Sequence, residues 1–429
     1  MKTGTAWRDI TPLEPIPLGG QMRVRMGQYT HDPLTVNAVV FADETTQVGL
    51  VSCDLLGLTG DFIGTIKTAC RKKYGLTDVL IACTHTHVGP CTTEWQVGEV
   101  KPAFMDSVQH AVVDAIGEAI GKLEETVLYA GTGFIEHMGW NRRGLRKDGT
   151  AEMYWGSWQK DFAGIEGPRD GQVPVIFARC SDGRVQTVIP SFSTHPNTVE
   201  GESFYSADLV GAMRRVIRAV LGDDVGVVYV TGAAGDTAPS VMENNGENRQ
   251  MWRGEEGLQR SGQYLGAEVL KVIASTTDPM KDQTLQLAQQ ILKVPMRPWP
   301  EDFDPTVLRP GFKEFFTKSR DVWPVLMATE SPIDVPVSVL RLGRAAICSN
   351  PGELYCQFGL DIKAHSPADV TIVSELTDGC VGYLPTPQAV LHGGYSAYPG
   401  LQCKLIPEAG HQVVDATRVM LAQVFSNAL

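Results

Sequence analysis

The feature that most constrains the fold is an order of elements that occurs three times along the chain. Each copy has two apolar stretches typical of strands, then a helical pattern, then a third apolar strand. The copies cover residues of about 36–90, 173–240 and 335–386. Strands that alternate with helices favour an α/β protein. We therefore predict mixed β-sheets flanked by helices, built from three strand-strand-helix-strand repeats.

Polar residues gather just past the second and third strands of each copy. If the copies pack side by side, these strand ends share one rim, which is where ligand clefts of open α/β sheets lie. The repeat then places seven side chains around a single cleft: Asp54, His85, His87, His195, Asp236, Glu353 and Tyr383.

The first copy ends in two histidines that directly follow a buried strand. The apolar run Val79–Ala82 continues into Cys83-Thr84-His85-Thr86-His87-Val88-Gly89-Pro90. Side chains alternate along a strand, so both rings project to the same side. Two rings at a strand tip indicate either a metal ligand beside a general base or two metal ligands. A hydrogen-bonded histidine pair at a turn is the alternative without chemistry.

Composition excludes several classes of protein. The chain has 429 residues, 43% of them hydrophobic and 20% charged, which is typical of a globular protein. A net charge of −12 argues against nucleic-acid and anionic-membrane partners, because an acidic surface repels both. No apolar run approaches the roughly 20 residues that span a bilayer. We expect a small-molecule substrate, and a homo-oligomer is compatible with the sequence.

Domain organisation and location follow from weaker signals. No Gly/Ser-rich boundary divides the chain, so we expect one domain over residues 1–429, and Pro295 to Trp323 is expected to form a long lid or rim. Met1 to Thr11 lacks the apolar core of a signal peptide. The nine cysteines are scattered and odd in number, which favours reduced thiols in the cytoplasm.

An ordered set of motifs resembles the neutral/alkaline ceramidases, from about residue 8 to residue 420. The motifs are Asp9-Ile10-Thr11-Pro12, His85-Thr86-His87-Val88-Gly89-Pro90, Asn141-Arg142, Thr194-His195-Pro196, Gly235-Asp236, Pro351-Gly352-Glu353 and Gly382-Tyr383. The resemblance implies a zinc amidase that cleaves the amide of ceramide. It also implies Zn²⁺ ligands at His85, His195, Glu353 and Tyr383. By the same resemblance, His87 is the acid/base, with Arg142 and Tyr383 as further catalytic residues.

Two departures from that family bear on the substrate. The family pattern Gly-Asp-x-Ser-Pro has Ala238 here in place of serine, with Thr237 or Ser240 as nearby hydroxyls. The chain also ends near residue 429, without the small C-terminal β-sandwich domain of ceramidases. We therefore expect a catalytic-domain-only homologue with no stable membrane association.

The predicted function is zinc-dependent hydrolysis of an amide or related acyl bond in a soluble, polar substrate. Asn141, Arg143 and Thr237 are candidate substrate-binding residues. Asp54 and Asp236 are candidates to orient the histidines, with helix capping as their structural alternative. A zinc-dependent lyase or isomerase acting on a carbohydrate or hydroxy acid, a true ceramidase, and a non-catalytic metal-binding protein stay open as alternatives.

Overall fold

A computed structural model describes residues 1–242 and 250–426. The α-helices in these residues are α1 (Gly60–Tyr74), α2 (Pro102–Gly121), α3 (Asp208–Leu221), α4 (Gly254–Ser275), α5 (Phe312–Thr329), α6 (Cys356–Ala364), α7 (Pro387–His392) and α8 (Ala409–Phe425). The strands are β1 (Lys2–Asp9), β2 (Pro17–Leu18), β3 (Arg25–Met26), β4 (Thr35–Ala42), β5 (Gln47–Cys53), β6 (Asp78–Cys83), β7 (Glu124–Phe134), β8 (Trp140–Asn141), β9 (Arg143–Arg146), β10 (Ala151–Met153), β11 (Phe162–Ile165), β12 (Gln172–Cys180), β13 (Val185–Phe192), β14 (Gly226–Val227), β15 (Val230–Thr231), β16 (Thr237–Ala238), β17 (Leu285–Val294), β18 (Ile333–Leu342), β19 (Ala345–Ser349), β20 (Gly352–Leu354), β21 (Val370–Ser374) and β22 (Gly382–Leu384).

The three predicted repeats are present, and their strands pair in the same way. In the first copy β4 and β5 are antiparallel, α1 follows, and β6 lies parallel to β5. The second copy pairs β12 with β13 antiparallel, continues through α3, and returns with β14 and β15 parallel to β13. The third copy does the same with β18, β19, α6 and β21. The predicted mixed α/β fold is therefore confirmed.

The copies occupy two sheets of different size. The larger sheet has the order β14-β13-β12-β7-β1-β4-β5-β6, with β15 also paired to β13. It holds the first two copies, with β1 and β7 between them. The third copy forms most of a four-stranded sheet of order β17-β18-β19-β21. Two strands outside the repeat thus join the first two copies into one sheet.

The two sheets pack face to face, and helices cover their outer faces. The core between the sheets includes Leu50, Ile176 and Ile347, one from each copy, all fully buried. Helices α1 and α2 bury their apolar faces against one half of the larger sheet, and α3 and α4 against the other half. Helices α6 and α8 cover the smaller sheet. Burial on both faces explains why the core strands read as nearly continuous apolar runs.

The third strands of the three copies end beside one another. The Cys83 amide donates to the Leu376 carbonyl at 3.1 Å, and the Glu375 amide donates to the Thr231 carbonyl at 3.0 Å. These bonds join the ends of β6, β15 and β21 directly. The three copies therefore share one rim, and the polar residues that follow their strands meet there.

The segment expected to form a lid or rim contains a helix. Within Pro295 to Trp323, α5 begins at Phe312, and its residues Phe312 and Phe315 face the cleft at the shared rim. No helix among the described residues is long and apolar enough to cross a membrane.

Candidate active site and metal centre

His85 occupies an unusual backbone conformation at the end of β6. Its φ is 69°, in the left-handed region that residues with a Cβ rarely adopt. The His85 amide donates to the Leu55 carbonyl at 2.9 Å, and its Nδ1 lies 2.7 Å from the Leu56 carbonyl oxygen. A proton on Nδ1 satisfies that carbonyl, so Nε2 presents its lone pair to the rim.

His195 repeats this arrangement in the second copy. It follows β13, is fully buried, and places Nδ1 2.7 Å from the Ala234 carbonyl oxygen. Burial and the nearby Arg142 guanidinium lower the pKa of His195 to about 3. The ring is therefore neutral at physiological pH, with the Nε2 lone pair directed inward.

Glu353 and Tyr383 reach the site from neighbouring strands. β20 and β22 are parallel, and their register pairs Glu353 directly with Tyr383, so both side chains project to the same side. Glu353 Oε2 lies 3.3 Å from His85 Nε2 and 3.3 Å from His195 Nε2. Although burial acts to raise it, the two imidazoles hold the pKa of Glu353 below its usual range. Burial raises the pKa of the Tyr383 phenol well above its usual value.

The donor set fits a divalent metal. Glu353 Oε2 and His85 Nε2 are buried, and neither has a hydrogen-bond partner among the described residues. Together with His195 Nε2 they bring three electron-rich atoms close together, an arrangement that a cation stabilises. Nitrogen and oxygen donors of this kind suit Zn²⁺. The residues present therefore fit the ion that the sequence predicts.

His87 lies beside the same centre. The ligating atoms of His85, His87 and His195 all fall within 4.8 Å of one another, so the three rings also form a possible metal-binding group. Burial, followed by the charge of neighbouring His85, lowers the pKa of His87 well below its usual value. Its Nδ1 lies 3.5 Å from Glu200 Oε2. A neutral ring in this position suits either a third histidine ligand or a general base.

Arg142 lies at the edge of this candidate metal centre. Its Nη2 lies 2.8 Å from His195 Nε2 and donates to the Gly235 carbonyl at 3.0 Å and to the Tyr383 hydroxyl at 3.2 Å. Its Nη1 donates to the Tyr154 hydroxyl at 3.2 Å. The side chain is 3% exposed and lines the cleft. The sequence-predicted residues His85, His87, Arg142, His195, Glu353 and Tyr383 are thus brought together.

Asp236 supports the neighbouring backbone and does not reach a histidine. Its Oδ2 accepts from Asn141 Nδ2 at 2.6 Å, its Oδ1 accepts from the Cys356 amide at 2.7 Å, and its carbonyl accepts from the Arg142 amide at 2.8 Å. Burial raises its pKa to about 6. Asp236 therefore supports the loop that carries Arg142, and its predicted role in orienting a histidine and the predicted substrate contact of Asn141 stay predictions.

Arg143 and Thr237 also lie behind the cleft. The Arg143 guanidinium is fully buried and pairs with Glu166, and it donates to the Gly393 carbonyl at 2.7 Å. Thr237 is fully buried, and its hydroxyl donates to the Ser193 carbonyl at 2.9 Å. Neither side chain is among those that line the cleft, so these bonds are structural, and the predicted substrate contacts stay predictions.

The Asp54 carboxylate bonds residues at the strand ends rather than a histidine ring. It pairs with Arg214 at 2.6 Å and accepts from the Thr35 amide at 2.8 Å and from the Thr84 hydroxyl at 3.2 Å. The N-cap of the following helix is Thr59, so helix capping does not explain Asp54 either. Asp54 fixes the backbone next to His85, and its predicted role in orienting a histidine stays a prediction.

Two acids near the site were not predicted from the sequence. Glu200 lies five residues after His195 in the same loop, so its nearness in sequence was a usable signal. Glu375 directly follows β21, just past the third strand of the third copy, as the histidines follow β6 in the first copy. Its Oε2 accepts from the amides of Ala234 and Leu354, both at 3.0 Å, and burial raises its pKa well above the usual range. Glu375 therefore holds the backbone beside His195 and Glu353.

The cleft above these residues is open and mixed in character, with a cavity volume of about 260 Å³. Its aromatic lining comprises Trp95, Tyr154, Phe312, Phe315, Tyr383 and Tyr395. Charged side chains also line it, namely Arg142, Arg309, Glu152, Glu200 and Glu353. The lining thus offers a ligand both aromatic faces and charged groups.

Comparison with solved structures gives the fold. A structure described as ceramidase complexed with C2 superposes with a TM-score of 0.75 at 14% identity, covering 99% of this chain and 75% of that one. The neutral ceramidase from Pseudomonas aeruginosa gives a TM-score of 0.73 at 15% identity, covering 99% of this chain and 74% of that one.

The fold is that of the neutral ceramidases. The resemblance seen in the sequence motifs is therefore confirmed at the level of the fold, over nearly the whole of this chain. No protein-family model and no curated protein matches the sequence.

Proposed function

We propose that the protein is a zinc-dependent hydrolase that cleaves an amide or related acyl bond in a soluble, polar substrate. One observation carries the proposal. Glu353 Oε2 lies 3.3 Å from His85 Nε2 and 3.3 Å from His195 Nε2. The ceramidase-like fold supports a hydrolase.

His85, His195 and Glu353 would hold the metal, with Tyr383 completing the set. When bound, Zn²⁺ supplies Lewis-acid polarisation of the scissile carbonyl and lowers the pKa of water at the site. These residues suit that role because His85 and His195 both direct Nε2 towards the Glu353 carboxyl.

His87 is the proposed acid/base. Glu200 beside Nδ1 favours the tautomer that carries its proton there, which leaves the Nε2 lone pair available. A neutral imidazole accepts the proton of the attacking water and then returns it to the leaving nitrogen. Because burial lowers its pKa, His87 is unprotonated before each turnover.

Arg142 is the proposed donor to the substrate oxygen. Its guanidinium borders His195 and Tyr383, so an oxygen that gains negative charge there meets a fixed cation. No serine nucleophile is needed for this chemistry. Ala238, which replaces the family serine, is fully buried and does not line the cleft.

The charged cleft supports a soluble substrate rather than ceramide. The cytoplasm is the proposed location, and the absence of any disulfide among the nine cysteines, all of which are described, supports it. A lyase or isomerase acting on a carbohydrate or hydroxy acid is a second candidate, favoured by the Tyr383 phenol that Arg142 contacts at 3.2 Å. A phenol next to a cation is a usable acid for such a reaction.

Turnover of three substrate classes tests the proposal. We expect the zinc-loaded protein to release amine from a short, soluble N-acyl amine, to lose that activity with a chelator, and to regain it with zinc. We expect much slower release of sphingosine from ceramide in detergent micelles. Turnover of a uronate with no amide hydrolysis would favour the lyase, and ceramide cleavage as fast as the best soluble substrate would indicate a true ceramidase.

A further inference from the structure

We propose that the substrate carries a carboxylate away from its scissile bond and that Arg309 binds this group at the rim of the cleft. The inference rests on the proposed hydrolase function and names its substrate class. It comes from the position of Arg309 in the cleft and from the partners that the cleft-lining charges have.

Two of the three acids that line the cleft pair with arginines behind it. Glu200 pairs with Arg253 Nη1 at 2.5 Å. Glu152 lies 3.5 Å from Arg146 Nη2. The third acid, Glu353, faces the two histidine nitrogens at the proposed metal site. None of the three carboxylates forms an ion pair with a cleft-lining arginine.

The two arginines that line the cleft are not matched by acids. Arg142 has its hydrogen bonds with a histidine nitrogen, a backbone carbonyl and two phenols, all of them neutral. For Arg309, no carboxylate in residues 1–242 or 250–426 comes within ion-pair distance, and Glu152, whose pKa Arg309 acts to lower, pairs with Arg146 instead. Arg309 is therefore a cation at the cleft rim without an ion-pair partner among these residues. Such a cation is available to an anionic group of a ligand.

Arg309 is also held in a geometry that suits recognition. Its guanidinium lies over the Phe312 ring, with Cζ 4.1 Å from the ring centroid. Stacking fixes the plane of the guanidinium and leaves its N–H edge free to donate. Both side chains line the cleft, and Arg309 itself is exposed at the rim. A planar fork of donors matches a carboxylate through two parallel hydrogen bonds.

The two arginines then have separate tasks. Arg142 lies against the candidate metal ligands, where the bond is cleaved, and Arg309 lies at the rim before α5. A substrate that spans both is an amide with its reacting carbonyl near His195 and its carboxylate near Phe312. The carboxylate belongs to the amine half or to the acyl half, and the two are separable by experiment.

Matched substrate pairs test the proposal. One pair is an N-butyryl amino acid and its uncharged carboxamide, and the other is an N-succinyl amine and its carboxamide. We expect the wild-type protein to prefer the carboxylate member of one pair by about 10-fold in kcat/KM, mainly through KM, because a rim contact binds ground and transition states alike. The preference should shrink as salt is added, since an exposed ion pair is screened.

Arg309→Gln should abolish this preference and leave kcat/KM for the carboxamide nearly unchanged. Lys318→Gln is the matched control, because Lys318 is an exposed cation on α5 that does not line the cleft. It should keep the wild-type preference. Equal use of both members by the wild type, or an equal loss on both in Arg309→Gln, would overturn the proposal for Arg309. Failure of the zinc-loaded protein to cleave any of the four amides would instead overturn the hydrolase function.

Discussion

At the scale of single residues, the site depends on which nitrogen each histidine presents. His85 and His195 both give Nδ1 to a backbone carbonyl, so Nε2 is directed at Glu353 in both. The sequence placed these residues at one rim but contained no sign of the left-handed φ of His85. That angle arises from the tertiary bonds of the strand end, among them the contact of its amide with the Leu55 carbonyl.

Three predicted site residues make structural contacts for a shared physical reason. Asn141, Arg143 and Asp236 are polar residues next to a functional arginine, and adjacency in sequence suggested a shared task. Successive side chains there point to opposite sides, so Arg142 faces the cleft while Arg143 points away from it and pairs with Glu166. Sequence alone does not show which of two neighbouring arginines faces the ligand when each has polar partners available.

Replacing Arg142 by lysine separates its role in catalysis from a role in binding. We expect Arg142→Lys to lower kcat/KM by roughly 10²-fold or more, the scale for losing one donor to a developing oxyanion. The loss should lie in kcat, with zinc content unchanged. Tyr154→Phe, which removes the hydroxyl that accepts from Arg142 Nη1 and from Asn197 Nδ2, should cost far less. Unchanged kcat with raised KM in steady-state kinetics would instead show uniform binding of a remote group.

At the scale of elements, the sequence predicted the three repeats but not the strands that join the first two copies into one sheet. The apolar runs, their turns and the helices of all three copies follow from local periodicity. β1 and β7 pair across more than a hundred residues, Lys2 with Glu125, and such pairing has no local signature. α5 was not predicted because Pro310 precedes it and Pro324 lies inside it, and prolines disfavour a helix in a local sequence pattern. The rim was thus predictable, but the elements that close over it were not.

The buried carboxyl of Asp236 gives the loop after β15 a pH-dependent stability. Its pKa is about 6 in the folded protein, above the unfolded value, so folding favours the protonated form. The stabilisation is present at pH 4 and is lost as pH rises through 6, by about 3 kcal/mol at 1.36 kcal/mol per unit of pKa. In Asp236→Asn this slope should vanish.

Urea unfolding between pH 4 and 7.5 measures this difference. The asparagine amide faces Asn141 Nδ2, so the variant is expected to be less stable at low pH, with the gap to the wild type narrowing as pH rises. The slope of the difference is therefore the relevant quantity, not its absolute size. Parallel curves across the whole range would show that Asp236 is already ionised in the folded protein at pH 4.

At the scale of the whole molecule, the packing of two sheets brings chemistry from three copies to one point. His85, His195 and Glu353 come from the first, second and third copy, and 268 positions separate the first from the last in the chain. The covered apolar faces hold this arrangement, since the core between the sheets contains residues of every copy. The order of the copies was readable from the sequence, but the face-to-face packing that makes their rims coincide depends on contacts between distant strands.

The zinc content of the purified protein and three variants tests the central claim most directly. We predict about one zinc per chain by elemental analysis of the wild type, with most of it lost in His195→Ala and in Glu353→Ala. His87→Ala should retain the zinc and lose activity. Full zinc in Glu353→Ala, or loss of zinc in His87→Ala equal to that in His195→Ala, would contradict the assignment of His195 and Glu353 as ligands and His87 as the acid/base.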